Sequence, residues 1–124
     1  MLKHSLVFIG GGAGAVLRYV AGTAIMQRFG GAFPLGTLVI NVTGSFLIGV
    51  LMTLLTERLQ VSGNWRFLLV VGFLGGYTTF SSFEYETVQA VRDGSLGTGA
   101  LNVLVSVVAG YLAVWLGIAI TARG

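Results

Sequence analysis

Charge is distributed along this chain in a way that leaves few folds open. No charged side chain occurs in residues 29–56, between Arg28 and Glu57, or in residues 94–122, between Asp93 and Arg123. A hydrocarbon core about 30 Å thick is crossed by about 20 helical residues, so either run is long enough to span it. A shorter uncharged run, 67–83, ends at Glu84, and a first run, 5–17, is interrupted by Arg18 and resumes to Gln27. The rhythm predicts four transmembrane helices, at 5–26, 35–55, 66–90 and 98–122. The connections, 28–34, 56–65 and 91–97, are short, so consecutive helices should run antiparallel.

Composition closes off the other classes. Charged residues are 9% of the chain, against about 25% in a soluble domain, and mean hydropathy is +0.90. A chain so apolar is not disordered, and its 20 glycines follow no collagen period. Without cysteine there is no disulfide framework, thiolate chemistry or Cys-ligated zinc. Residues 1–124 therefore read as a single all-α polytopic membrane domain of four helices. Lys3, an apolar stretch and Ala13-Gly14-Ala15 imitate a cleaved signal peptide, but the segment runs on past that site and three further spans follow. With four spans, Lys3, Arg58, Arg66 and Arg123 share one side, and Arg28 and Arg92 the other, with Arg18 snorkelling towards the latter. So weak a positive-inside bias permits insertion both ways round.

Polar groups inside the spans are the functional candidates. Thr37, Asn41 and Ser45 recur every four residues and draw a stripe up one face of the second span. Gly99, Asn102, Ser106, Gly110, Ala113 and Gly117 put small or polar groups on one face of the fourth. Close helix packing accounts for the small residues. Asn41 and Asn102 carry amides that are costly in hydrocarbon unless satisfied, and whose NH₂ groups can instead serve an anion. The run Gly10-Gly11-Gly12-Ala13-Gly14 lacks the Gly-Lys-Ser/Thr of a phosphate loop and the preceding strand of a dinucleotide site, so it too reads as packing.

The third span is unusual. Gly75-Gly76-Tyr77-Thr78-Thr79-Phe80 is a poor helix interior, and Ser81 and Glu84 have capping-box spacing. This predicts a helix broken near mid-membrane, lining a cavity or buried in protein, with released carbonyls available as cation ligands. Phe80 and Phe83 fall on one face, either as packing or with positive ring edges towards an anion. Arg18 is placed to pair with Glu86, or both snorkel at an interface, while Glu84 caps the second half-helix. His4 stands alone, and no nucleophile–base pair is evident, so an enzyme is not expected.

These runs together resemble a known family. Gly11-Gly12-Ala13-Gly14-Ala15-Val16-Leu17-Arg18-Tyr19, Gly36-Thr37-Leu38-Val39-Ile40-Asn41 and residues 72–83 are similar to the three signatures of the Fluc (CrcB) fluoride channels, in order and over all four spans. The resemblance implies a passive fluoride channel of the bacterial inner membrane that exports fluoride from the cytoplasm and so confers resistance. It also implies an antiparallel, dual-topology homodimer with two fluoride pathways, and no nucleic-acid partner. Phe80 and Phe83 would form the aromatic box, Asn41 a pore-lining donor, and Thr37, Ser81, Asn102 and Ser106 a polar track. Gly75 and Thr78 would offer backbone carbonyls to a structural sodium ion, and Arg18 and Glu86 match the charged positions. Ser82 stands where threonine is commoner, Gly110 where the family often has serine, and Asn102 where tyrosine can occur. A proton-coupled small multidrug exporter would need a carboxylate in the first span, where this chain has Arg18. A structural membrane subunit is the other alternative.

Overall fold

The computed structural model describes residues 1–123. It contains four helices long and apolar enough to cross a membrane. Helix α1 is Leu2–Phe29, and α2 is Leu35–Thr53, prolonged by a wide turn at Leu54–Arg58. Helix α3 begins at Asn64–Arg66, passes through i→i+5 geometry at Phe67–Leu74 and closes at Gly75–Tyr77. Helix α4 is Phe80–Arg92, so α3 and α4 together make up the third span, and α5 is Leu96–Arg123.

The helices overrun the predicted spans by up to a few residues at either end. Charged residues marked the predicted ends, but charge does not stop a helix; backbone geometry does. Gly94, at φ +90°, ends α4 in a Schellman motif, with Ser95 N–H donating to Ala90 O at 2.9 Å and Gly94 N–H to Val91 O at 3.0 Å. Thr79 caps α4, its side chain accepting from Ser82 N–H at 3.2 Å. The predicted cap, Ser81, lies inside the helix. A cap must hold extended backbone, and Thr79 does so where Ser81 is already helical.

Glycine sets the helix contacts. A Cβ on Gly14 would collide with the Phe73 carbonyl, and one on Gly76 with the Gly11 carbonyl, so α1 and α3 lie backbone to backbone. Gly49 stands likewise against the Val114 carbonyl and Gly117 against the Phe46 carbonyl, joining α2 to α5. The small-residue face of the fourth span accordingly turns inward, with Gly99, Asn102, Ala113 and Gly117 buried. Gly117→Leu should therefore fail to close this contact; overpacking typically costs about 1–3 kcal/mol, more where backbone is struck. Size-exclusion profiles of detergent-extracted protein should show loss of the monodisperse peak.

Between the pairs, Ile40, Leu74 and Tyr77 form the buried core. Tyr77 stacks on Phe73 with ring centroids 6.1 Å apart, and its hydroxyl shares a 2.8 Å hydrogen bond with Thr43 Oγ1. The outer surface is apolar, including Phe8, Ile9 and Val20 of α1 and Leu104, Tyr111 and Trp115 of α5. Water does not support an apolar patch of that extent, and lipid does. The molecule is a multi-pass membrane protein.

Candidate functional site

The site begins at Thr78 and Thr79 of the third span. Thr78 has φ −86° and ψ 158°, and Thr79 φ −150° and ψ 120°, so two residues of extended backbone separate Tyr77 from Phe80. A continuous helix would give Thr79 N–H to the Gly75 carbonyl. Instead Thr79 N–H donates to Asn41 Oδ1 at 2.8 Å, and Asn41 Nδ2 donates to Thr79 O at 2.9 Å. One side-chain amide thus satisfies both polar groups of the displaced residue, which is what makes extended backbone tolerable among apolar helices. Asn41 Nδ2 has two N–H groups, and this pairing uses one.

Thr79 lies between two depressions. On one side is a groove of about 350 Å³, lined by Asn41, Ser45, Gly75, Thr78 and Phe80 among others. On the other is a cavity of about 470 Å³ bordered by Arg18, Tyr19, Thr37, Ser82 and Glu86. Arg18 and Glu86 face this cavity without the direct bond that their pairing would require. Arg18 Nε donates to the Gly76 carbonyl at 3.0 Å, and Glu86 Oε2 accepts from Thr37 Oγ1 at 3.0 Å. Among the described residues, Glu86 Oε1 is buried and has no hydrogen-bond partner. Arg18 thus gives a side-chain donor to a carbonyl in the last turn of α3, where helical donors run out.

The two phenylalanines touch, with centroids 5.9 Å apart and planes at 51°. They are not equivalent: Phe80 is 74% exposed on the groove, whereas Phe83 is 7% exposed inside the bundle. The stripe on α2 divides its work, with Thr37 tied to Glu86, Asn41 to Thr79, and Ser45 lying beside Gly110 of α5. Ser81 is exposed, bordering a shallow depression with Ser82, Tyr85 and Glu86. Asn102 is 2% exposed between α5 and α4; it donates to Thr87 Oγ1 at 2.9 Å and accepts from Ser106 Oγ at 3.3 Å. Thr79 and Thr87 are the participants that the sequence did not single out. Thr79 had a legible signal, a hydroxyl residue at the end of the stretch least suited to helix and directly before Phe80, where a cap would stand. Thr87 had none, because its partner is on another helix.

Membrane-crossing helices packed on glycine, with amides, hydroxyls and an arginine gathered inside around the extended backbone of Thr78 and Thr79, define a small polytopic membrane protein built around an interior polar site. The model of CrcB-like protein, Camphor Resistance (CrcB), matches residues 5–118. A fluoride-specific ion channel FluC of Solibacter usitatus (strain Ellin6076) is 58% identical over 122 residues, covering 98% of this chain and 100% of that protein. Proteins of the same name are 47% identical over 122 residues in Acidobacterium capsulatum, covering 98% of each chain, and 49% identical over 118 residues in Coxiella burnetii (strain CbuK_Q154), covering 93% of this chain and 94% of that one. The chain belongs to the CrcB family, whose matched members are named as ion channels and not as enzymes.

Proposed function

We propose that this protein is a passive, fluoride-selective channel that lets fluoride leave the cytoplasm and so lowers its intracellular level. The observation that carries the reading is the parted third span held by Asn41, with Phe80 open on the groove beside it. The name and near full-length identity of the relatives supply the ion. Fluoride is small and strongly hydrated, so its path must replace water with hydrogen-bond donors and positive ring edges. A fixed cation there would bind too deeply for the ion to leave. Asn41 keeps one N–H for an anion, and Phe80 presents a ring rim to the groove.

The channel works as an antiparallel homodimer in the bacterial inner membrane, with two pathways and the third span broken at mid-membrane. The groove holding Asn41 and Phe80 is open at the surface of a single copy. A second copy would close it. A structural sodium ion suits the same place. Thr79 N–H has been diverted from Gly75, and the ψ of Thr78 turns its carbonyl out of the helix direction, so each copy can offer hard backbone oxygens from Gly75 and Thr78. Such an ion would hold the copies together and would not be cargo.

Liposomes loaded with fluoride and reconstituted with the protein should release it rapidly on addition of a potassium ionophore, and release little chloride under the same gradient. Absence of fluoride release would end the reading. Reporters fused after Arg123 should appear on both sides of the membrane. A single side for essentially all copies would exclude the antiparallel dimer.

A further inference from the structure

Helix α4 follows two residues of extended backbone, so helical hydrogen bonds do not fix its position on α3. Side chains must hold it instead. From α2 come the Asn41–Thr79 and Thr37–Glu86 bonds, and from α5 comes the Asn102–Thr87 bond. The last lies beside a tight contact between α4 and α5. A Cβ on Gly99, three residues before Asn102, would stand 2.7 Å from Val91 Cγ2 and 3.4 Å from the Thr87 carbonyl.

The direction of this chain of bonds is fixed by chemistry. The Phe83 carbonyl can only accept, and it receives the Thr87 hydroxyl at 2.8 Å. Thr87 Oγ1, its proton spent, accepts from Asn102 Nδ2 at 2.9 Å, and Asn102 Oδ1 accepts the Ser106 hydroxyl at 3.3 Å. The Ser106 proton is therefore committed inward, and Asn102 is enclosed at 2% exposure. These groups are poorly placed to serve an ion directly. They are well placed to fix α4, the helix that carries Phe83, against α5.

We infer that Thr87 is a positioning residue for the proposed fluoride path, through which Asn102 of α5 holds α4, and Phe83 with it, in place without touching the ion. The inference rests on the proposed channel function and on the aromatic-box role that the family resemblance implies for Phe83.

Fluoride efflux from liposomes tests it with Thr87→Val, Thr87→Ser, Asn102→Leu, Ser106→Ala and the Thr87→Val/Asn102→Leu double variant. Thr87→Val keeps the shape and removes the hydroxyl, and should slow efflux at least about tenfold. Thr87→Ser restores the bonds and should stay within about twofold of wild type. Asn102→Leu should resemble Thr87→Val, and the double variant should be no worse than either, because both break one tie. Ser106→Ala should cost little. Thr87→Ala gives a second route should the valine variant not purify at the wild-type elution volume. Wild-type efflux in Thr87→Val, loss of efflux in Thr87→Ser, or a larger defect in Ser106→Ala than in Thr87→Val would each overturn the inference while leaving a conducting channel. A wild-type protein that releases no fluoride would instead remove the channel reading and the inference with it. NMR of ring-labelled Phe83 should show altered shift or linewidth in Thr87→Val but not in Thr87→Ser; an unchanged ring in both would also overturn it.

Discussion

Asn41→Asp is expected to slow fluoride efflux at least about 100-fold while the protein elutes as the wild type does. The Asn41 amide donates to Thr79 O and accepts from Thr79 N–H. A carboxylate keeps the second bond and turns the first into a contact between two acceptors. Leaving a buried acceptor unpaired costs about 1–3 kcal/mol, which alone is roughly 5- to 150-fold if it falls on the conduction barrier. The substitution also removes the remaining N–H and sets negative charge where an anion passes. Asn41→Leu separates the contributions: it loses the pairing without adding charge, so it should conduct poorly but better than the aspartate. Wild-type efflux in Asn41→Asp would exclude Asn41 from the path and show the Thr79 pairing to be dispensable for conduction.

Phe80→Leu and Phe83→Leu should both slow fluoride efflux by at least about tenfold, with unequal effects on stability. Phe80 is 74% exposed within one copy, so trimming it leaves the packing inside that copy intact, and the melting temperature should fall less than in Phe83→Leu. Phe83 is 7% exposed, and leucine there leaves space that the bundle fills only in part, costing on the order of 1–2 kcal/mol. A loss of efflux in Phe80→Leu with the dimer and its melting temperature retained therefore isolates the ring rim from packing. Were both variants to conduct as wild type, the aromatic pair would be packing alone and its place in the pathway would fall.

Much of the site was legible because the sequence states which polar groups are costly. Asn41 and Asn102 stood out because an amide in an apolar span must find a partner, and both have one. The identity of the partners was not legible. Arg18 and Glu86 suggested a pair on charge alone, yet Arg18 takes the Gly76 carbonyl and Glu86 takes Thr37. The end of α3 exposes acceptors that a charge count does not register.

The sequence by itself determined the number of spans, because charged residues cannot be distributed through hydrocarbon, and the glycine faces, because only small residues let helical backbones touch. It also marked the stretch of the third span least suited to helix, at Gly75 to Thr79. Only the tertiary structure decided what satisfies that stretch, which of two neighbouring phenylalanines is buried, and that Thr87 links α5 to the Phe83 carbonyl. The reason is range. Hydropathy and propensity act on a residue through solvent and its own helix, whereas a hydrogen bond from Asn102 to Thr87, or from Asn41 to Thr79, exists only once separate helices have docked.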